Sequence, residues 1–112
     1  MCFNQLVLQC IVGSTLEESG IKVIIARNSN ERVAVFRLDS NEFRVAFDLV
    51  GKNVCDGLVF YCAGGSRYLI FVELKSTDNK GSENQILVPF LKMRDRFLAI
   101  DKHFKFRGLV AT

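Results

Sequence analysis

Two adjacent glycines, Gly64-Gly65, separate two apolar runs at residues 55–62 and 68–74, and this arrangement constrains the fold more tightly than any other feature of the chain. A tight hairpin needs positive φ at both central positions, which glycine adopts without strain. A turn centred on the pair aligns Cys62 with Arg67, Phe60 with Leu69, Leu58 with Phe71 and Asp56 with Glu73. A three-residue loop would shift that register. Alternation along the strands puts Leu58, Phe60, Leu69 and Phe71 on one face and Val59, Tyr61, Tyr68, Ile70 and Val72 on the other. Both faces are largely apolar, the pattern of a sheet covered on both sides.

The rest of the chain supplies the covering layers. Phe3, Leu6, Val7, Cys10 and Ile11 have the spacing of one helix face, and Gly20 after Glu17-Glu18-Ser19 reads as that helix's stop. Residues 22–27 read as a short strand and 28–31 as a turn. Residues 33–38 and 43–49 read as strands around the turn-forming Asp39-Ser40-Asn41. Polar residues 76–82 form a loop. A helix then runs to about Ile100, with Ile86, Phe90, Met93, Phe97 and Ile100 on its buried face. Pro89 inside it should kink the helix or delay its start. Residues 104–111 make a last strand. The order predicts one small mixed α/β domain, which is what 112 residues can support.

Composition excludes several classes of protein. The longest apolar runs are too short to span a bilayer, and the first twelve residues lack the basic start of a signal peptide. Cys2, Cys10, Cys55 and Cys62 show no Cys-x-x-Cys spacing, and His103 is the only histidine, so a zinc site is not expected. They read as reduced, mostly buried thiols of a cytoplasmic protein. A net charge of +3 permits a polyanionic partner without requiring one.

The hairpin register is what carries chemistry. Asp56 and Glu73, opposite one another, would lie about 5 Å apart at Cβ and repel. Lys75 follows on the same face. Two acids ending an apolar hairpin are costly unless something positive joins them. A hard divalent cation such as magnesium takes carboxylate oxygens, and the ammonium of Lys75 would stand beside a water held there, able to orient a nucleophile or offset charge on a phosphate. Asp78-Asn79-Lys80 repeats the acid-x-Lys spacing in a loop and is read as accidental.

These residues resemble the PD-(D/E)xK nuclease superfamily, with its restriction-endonuclease-like fold. The resemblance rests on Cys55-Asp56-Gly57-Leu58-Val59-Phe60, Tyr68-Leu69-Ile70-Phe71-Val72-Glu73-Leu74-Lys75 and Glu83-Asn84-Gln85-Ile86-Leu87. It implies an α-β-β-β-α-β core around a mixed sheet flanked by helices. Asp56 and Glu73 would be metal ligands, helped by the backbone carbonyl of Leu74, with Lys75 the catalytic lysine and Gln85 accessory. Magnesium is the implied cofactor, with manganese able to substitute. Cys55 stands where the family has proline. Many members also carry a first-helix acid; Glu17 or Glu18 would be that ligand here, or both are solvated residues before a Gly cap. Gln85 fits a site role and, in Ser82-Glu83-Asn84-Gln85, a capping box equally well.

Lys92, Arg94 and Arg96 suit a solvated helix face. Lys102, Lys105 and Arg107, interleaved with Phe104 and Phe106, can contact a phosphate backbone or simply protect an edge strand. His103 and Arg67 read as surface residues. The expected activity is magnesium-dependent phosphodiester hydrolysis, DNA favoured over RNA. The alternative is a catalytically inactive module of the same fold binding nucleic acid or a protein partner. So small a domain leaves little surface for target selection, so a homodimer, a partner subunit or origin in a longer protein is expected.

Overall fold

The structure, a computed structural model, describes residues 15–18, 21–24, 31–74 and 82–111, the first two segments as backbone only. The hairpin forms as expected. Strand β4 (Gly57–Ala63) pairs with β5 (Ser66–Leu74), Gly64 and Gly65 turning between them at φ +55° and +84°. The pairs Cys62–Arg67, Phe60–Leu69 and Leu58–Phe71 are all present. Strand β3 (Glu31–Arg37) lies antiparallel beside β4, and β6 (Lys105–Ala111) lies parallel beside β5. The sheet is therefore mixed, in the order β3-β4-β5-β6. Its parallel pair needs a long crossover, which the helix at Ser82–Ile100 supplies.

Residues 43–49 are not a strand. Asn41–Ala46 form helix α1, and the Ser82–Ile100 helix is α2. Phe43, Val45, Phe47 and Leu49 alternate as a strand would, but Val45 is 73% exposed while Phe43 is 1% exposed. Local capping chemistry decides the matter. Ser40 Oγ accepts from Phe43 N–H at 3.3 Å, and the Arg44 guanidinium donates to the carbonyls of Asp39, Leu49 and Lys52. Phe43 and Phe47, one turn apart, stack at 5.4 Å.

The first acids also fall differently. The expected helix over Phe3–Ile11 lies outside the described residues, but Thr15–Glu18 is a strand, β1, antiparallel to β2 (Ile21–Ile24). Glu17 and Glu18 thus sit in a β ladder, in register with Lys22 and Ile21, rather than at a helix end. Ser-Gly between two runs of strand-forming residues signals a turn as readily as a helix stop. Residues 25–30 and 75–81, which hold the expected turn and most of the polar loop, lie outside the description. Pro89 does not delay α2, which begins at Ser82.

One face of the sheet carries the main core. Leu58, Leu69 and Phe71 pack there with Phe43 and Phe47 of α1 and Met93 and Phe97 of α2. Ring contacts run from Phe36 through Phe43, Phe47 and Phe97 to Phe104, each at 5.3–6.0 Å. The second face holds a smaller cluster of Val35, Val59, Val72 and Leu74. No helix among the described residues is long and apolar enough to cross a membrane.

Candidate functional site

Asp56 immediately precedes β4, and Glu73 is the penultimate residue of β5. The ladder runs to Gly57–Val72, so one further step sets Asp56 across from Glu73. By alternation both belong to the face that carries the helices. Asp56 Oδ2 accepts a 2.8 Å hydrogen bond from the Leu74 N–H, which ties the loop before β4 to the end of β5. Glu73 is 3% exposed with its Oε2 buried, and it is the one charged residue in the core of the described residues. A carboxylate in such surroundings is expensive, and its environment marks it as a functional candidate.

The electrostatic effect of the pair registers on a neighbour. Burial pushes the Cys55 thiol far above its ordinary range, and the charges of Glu73 and Asp56 raise it further. Cys55 is fully buried, its Sγ directed at the Gly57 carbonyl at 3.7 Å, so it is a packed thiol and no nucleophile.

Helix α2 reaches this site through a gap in its own ladder. Residue 89 would ordinarily donate to the carbonyl of Gln85, but proline has no N–H. That carbonyl accepts instead from the Cys55 N–H at 2.8 Å. The bond docks the first turns of α2 against the residue before Asp56. Gln85 Oε1 is buried without a hydrogen-bond partner among the described residues, so this oxygen makes no capping-box bond to them. The sequence contained this signal in the spacing of Gln85 and Pro89, but the partner comes from a distant segment.

Asp56, Glu73 and Gln85 are therefore brought to one end of the hairpin. Lys75 lies outside the described residues, as do the side chains of Glu17 and Glu18. Among the described residues no group of three or more His, Cys, Asp or Glu converges. The donors at hand are two carboxylates, with the Gln85 amide oxygen buried near the Cys55 backbone. An all-oxygen set suits magnesium or manganese and not a soft metal. An open cavity of about 530 Å³ between α2 and β6, walled by Phe71, Ile86, Phe90, Phe106 and Val110, adjoins this end, Val110 being in register with Glu73.

The expected phosphate-contacting residues divide. Lys102 is exposed in the turn before β6, whereas Lys105 and Arg107 share one side of β6, away from α2. Both cations lie over the ring of Tyr68, at 5.4 and 5.5 Å. No protein-family model, curated protein or solved structure matches this chain.

Proposed function

We propose that this domain is a metal-dependent nuclease of the restriction-endonuclease-like fold, acting on DNA in preference to RNA. The observation that carries the reading is Glu73, a carboxylate 3% exposed at the end of an apolar strand and facing a second acid. A buried carboxylate beside a second acid is costly unless positive charge joins it. The succession of three antiparallel strands, a helix and a parallel fourth strand supports the same fold.

In this reading Glu73 and Asp56, whose Oδ2 is held by the Leu74 N–H, would hold magnesium, for which manganese would substitute, together with the Leu74 carbonyl. When bound, the cation supplies Lewis acidity toward a phosphate oxygen and activates water for in-line attack. Asp56 needs no reorganisation to bind, because its Oδ2 is already fixed. Lys75, two residues beyond Glu73, offsets charge growing on the phosphate and orients the attacking water. Gln85 offers its buried amide to the same water or to the phosphate. The apolar wall of Phe71 and Val110 keeps solvent from the pair and strengthens each of these interactions.

The alternative is a binding module of the same fold without turnover, favoured by the absence of a third convergent acid among the described residues. One experiment separates the two. Purified protein is incubated with single-stranded, duplex and branched DNA, and with RNA, in magnesium or manganese. Cleavage should fall by about 10²–10³-fold in Glu73→Ala and Lys75→Ala. Cleavage equal to that of the variants sinks the enzyme reading. Manganese should also raise the melting temperature of the wild type and not of Glu73→Ala. If it raises neither, the acid pair is no metal site.

A further inference from the structure

The basic residues of the described chain differ in how they are held, Arg32, Lys52 and Lys102 being simply exposed. Most are spent on the fold: Arg37 pairs with Asp39, Arg67 with Asp101, Lys92 with Asp48 and Arg94 with Asp95. Arg44 and Arg96 donate to backbone carbonyls. Lys105 and Arg107 pair with no carboxylate among the described residues, although Arg107 Nη1 donates to the carbonyl of its neighbour Phe106 at 2.8 Å. Both are exposed, and both lie over Tyr68, whose ring is 6.1 Å from that of Tyr61 of β4 between centroids and tilted 55° to it. Among the described residues Glu31 is an acid on this face, hydrogen-bonded to Tyr61 on the far side of the aromatic pair.

This surface lies on the opposite face of the sheet from Asp56 and Glu73, and Tyr68 is about 17 Å along β5 from Glu73. It belongs to no part of the acid site. Two exposed cations two residues apart on one strand present charge along a line. Beside them stand two half-buried phenol rings on the same face of the sheet. A line of positive charge next to aromatic faces fits a ligand that alternates phosphates with planar rings. A duplex buries its rings in its own stack and offers only the phosphates.

We infer that the Tyr61–Tyr68 pair with Lys105 and Arg107 is a binding platform for single-stranded nucleic acid, distinct from the acid site. In the free protein the two cations occupy the face of Tyr68. Phosphates draw them off the ring, and a base takes their place. The surface needs neither a metal nor turnover, so it stands or falls apart from the nuclease reading.

Binding of fluorescent single-stranded DNA and RNA, with duplex DNA as a control, is measured by anisotropy in chelator, where cleavage is suppressed. Single strands should bind more tightly than the duplex. Tyr68→Ala should weaken single-strand binding roughly tenfold and leave the salt dependence unchanged. Removing Lys105 and Arg107 together should flatten the slope of log K against log salt by about 1.4. Glu73→Ala should bind as the wild type does, even if it has lost all cleavage. Should Tyr68→Ala fail to fold, Tyr68→Leu keeps the bulk without the π face, and Lys105→Glu with Arg107→Glu changes only exposed positions. The proposal is overturned if the wild type binds no single strand. It is equally overturned if neither the Tyr68 nor the charge-reversal variant weakens binding, or if duplex binds as tightly regardless of Tyr68. The DNA and RNA arms then tell which sugar the platform prefers.

Discussion

The two ends of the β4–β5 hairpin hold charge in opposite ways. At the open end Asp56 is hydrogen-bonded to the Leu74 backbone and Glu73 is sealed in the core. At the turn end Lys105 and Arg107 remain exposed, resting on an aromatic ring. Burial makes the charge of Glu73 strong and a backbone bond fixes Asp56, whereas exposure leaves the charge of the cations screened. One end suits a preorganised reaction site, the other a reversible contact. Both depend on a single register, because the same ladder that sets Asp56 across from Glu73 sets Tyr61 across from Tyr68.

The hardest blow to this comparison is therefore struck at the turn. Gly65 holds φ at +84°, with nothing within 4 Å of where a Cβ would stand, so space is no obstacle and the backbone is. Gly65→Val should cost about 1–3 kcal/mol, since a β-branched residue resists that region. It should weaken metal binding and single-strand binding together, because both need the register. Gly64→Asn, at φ +55°, should be nearly neutral, as Asn-Gly serves the same turn. Urea titration reads both. If Gly65→Val lost one function and kept the other, the two ends would not share a frame.

A second substitution should separate the ends. Pro89→Ala returns an N–H that competes for the Gln85 carbonyl now used by Cys55. Helix propensity improves, yet the Cys55 amide loses up to about 1 kcal/mol of hydrogen bonding, enough for roughly fivefold faster hydrogen exchange. Metal-dependent activity should fall while oligonucleotide binding in chelator stays as it was. Unchanged exchange at Cys55 would show that the proline does not dock the helix.

What the sequence made legible follows from how local each signal is. Gly64-Gly65 and the alternation on either side contain the whole register, so the facing of Asp56 and Glu73 could be read without a structure. The carboxylate end was legible for that reason. α1 was not, because Phe43, Val45, Phe47 and Leu49 satisfy strand alternation, and the choice falls to the Ser40 cap and to Arg44 reaching carbonyls up to eight residues away. Glu17 and Glu18 were misplaced for a similar reason, Ser-Gly being a stop signal for a helix and a turn between strands. The platform was half legible: Lys105 and Arg107 stood out, but Tyr68 joins them only through the parallel pairing of β5 with β6. Long crossovers hide such partners.

The smallest effect concerns the thiols at the two ends. Cys55 lies beside the acids and Cys62 beside the turn, in register with Arg67. Cys55 is sealed and Cys62 half-buried, so a thiol reagent should label Cys62 first in a background lacking Cys2 and Cys10. Cys55 should react only through opening of the structure. Its proton has a further consequence for stability. The folded state holds it well above the ordinary value of 9.0, so the folded chain keeps a proton that the unfolded chain releases. The stability this contributes is full below that unfolded value and is lost as pH rises above it. Between about pH 9 and about pH 10 the loss should be about 1 kcal/mol, and Cys55→Ala should lack it. Chemical denaturation of the two proteins at each pH reads the difference. Because burial, the larger cause, by itself keeps the folded thiol well above this window, Glu73→Gln should leave the loss between about pH 9 and about pH 10 in place. A loss that shrinks in Glu73→Gln would mean that the carboxylate, rather than burial, holds the thiol up.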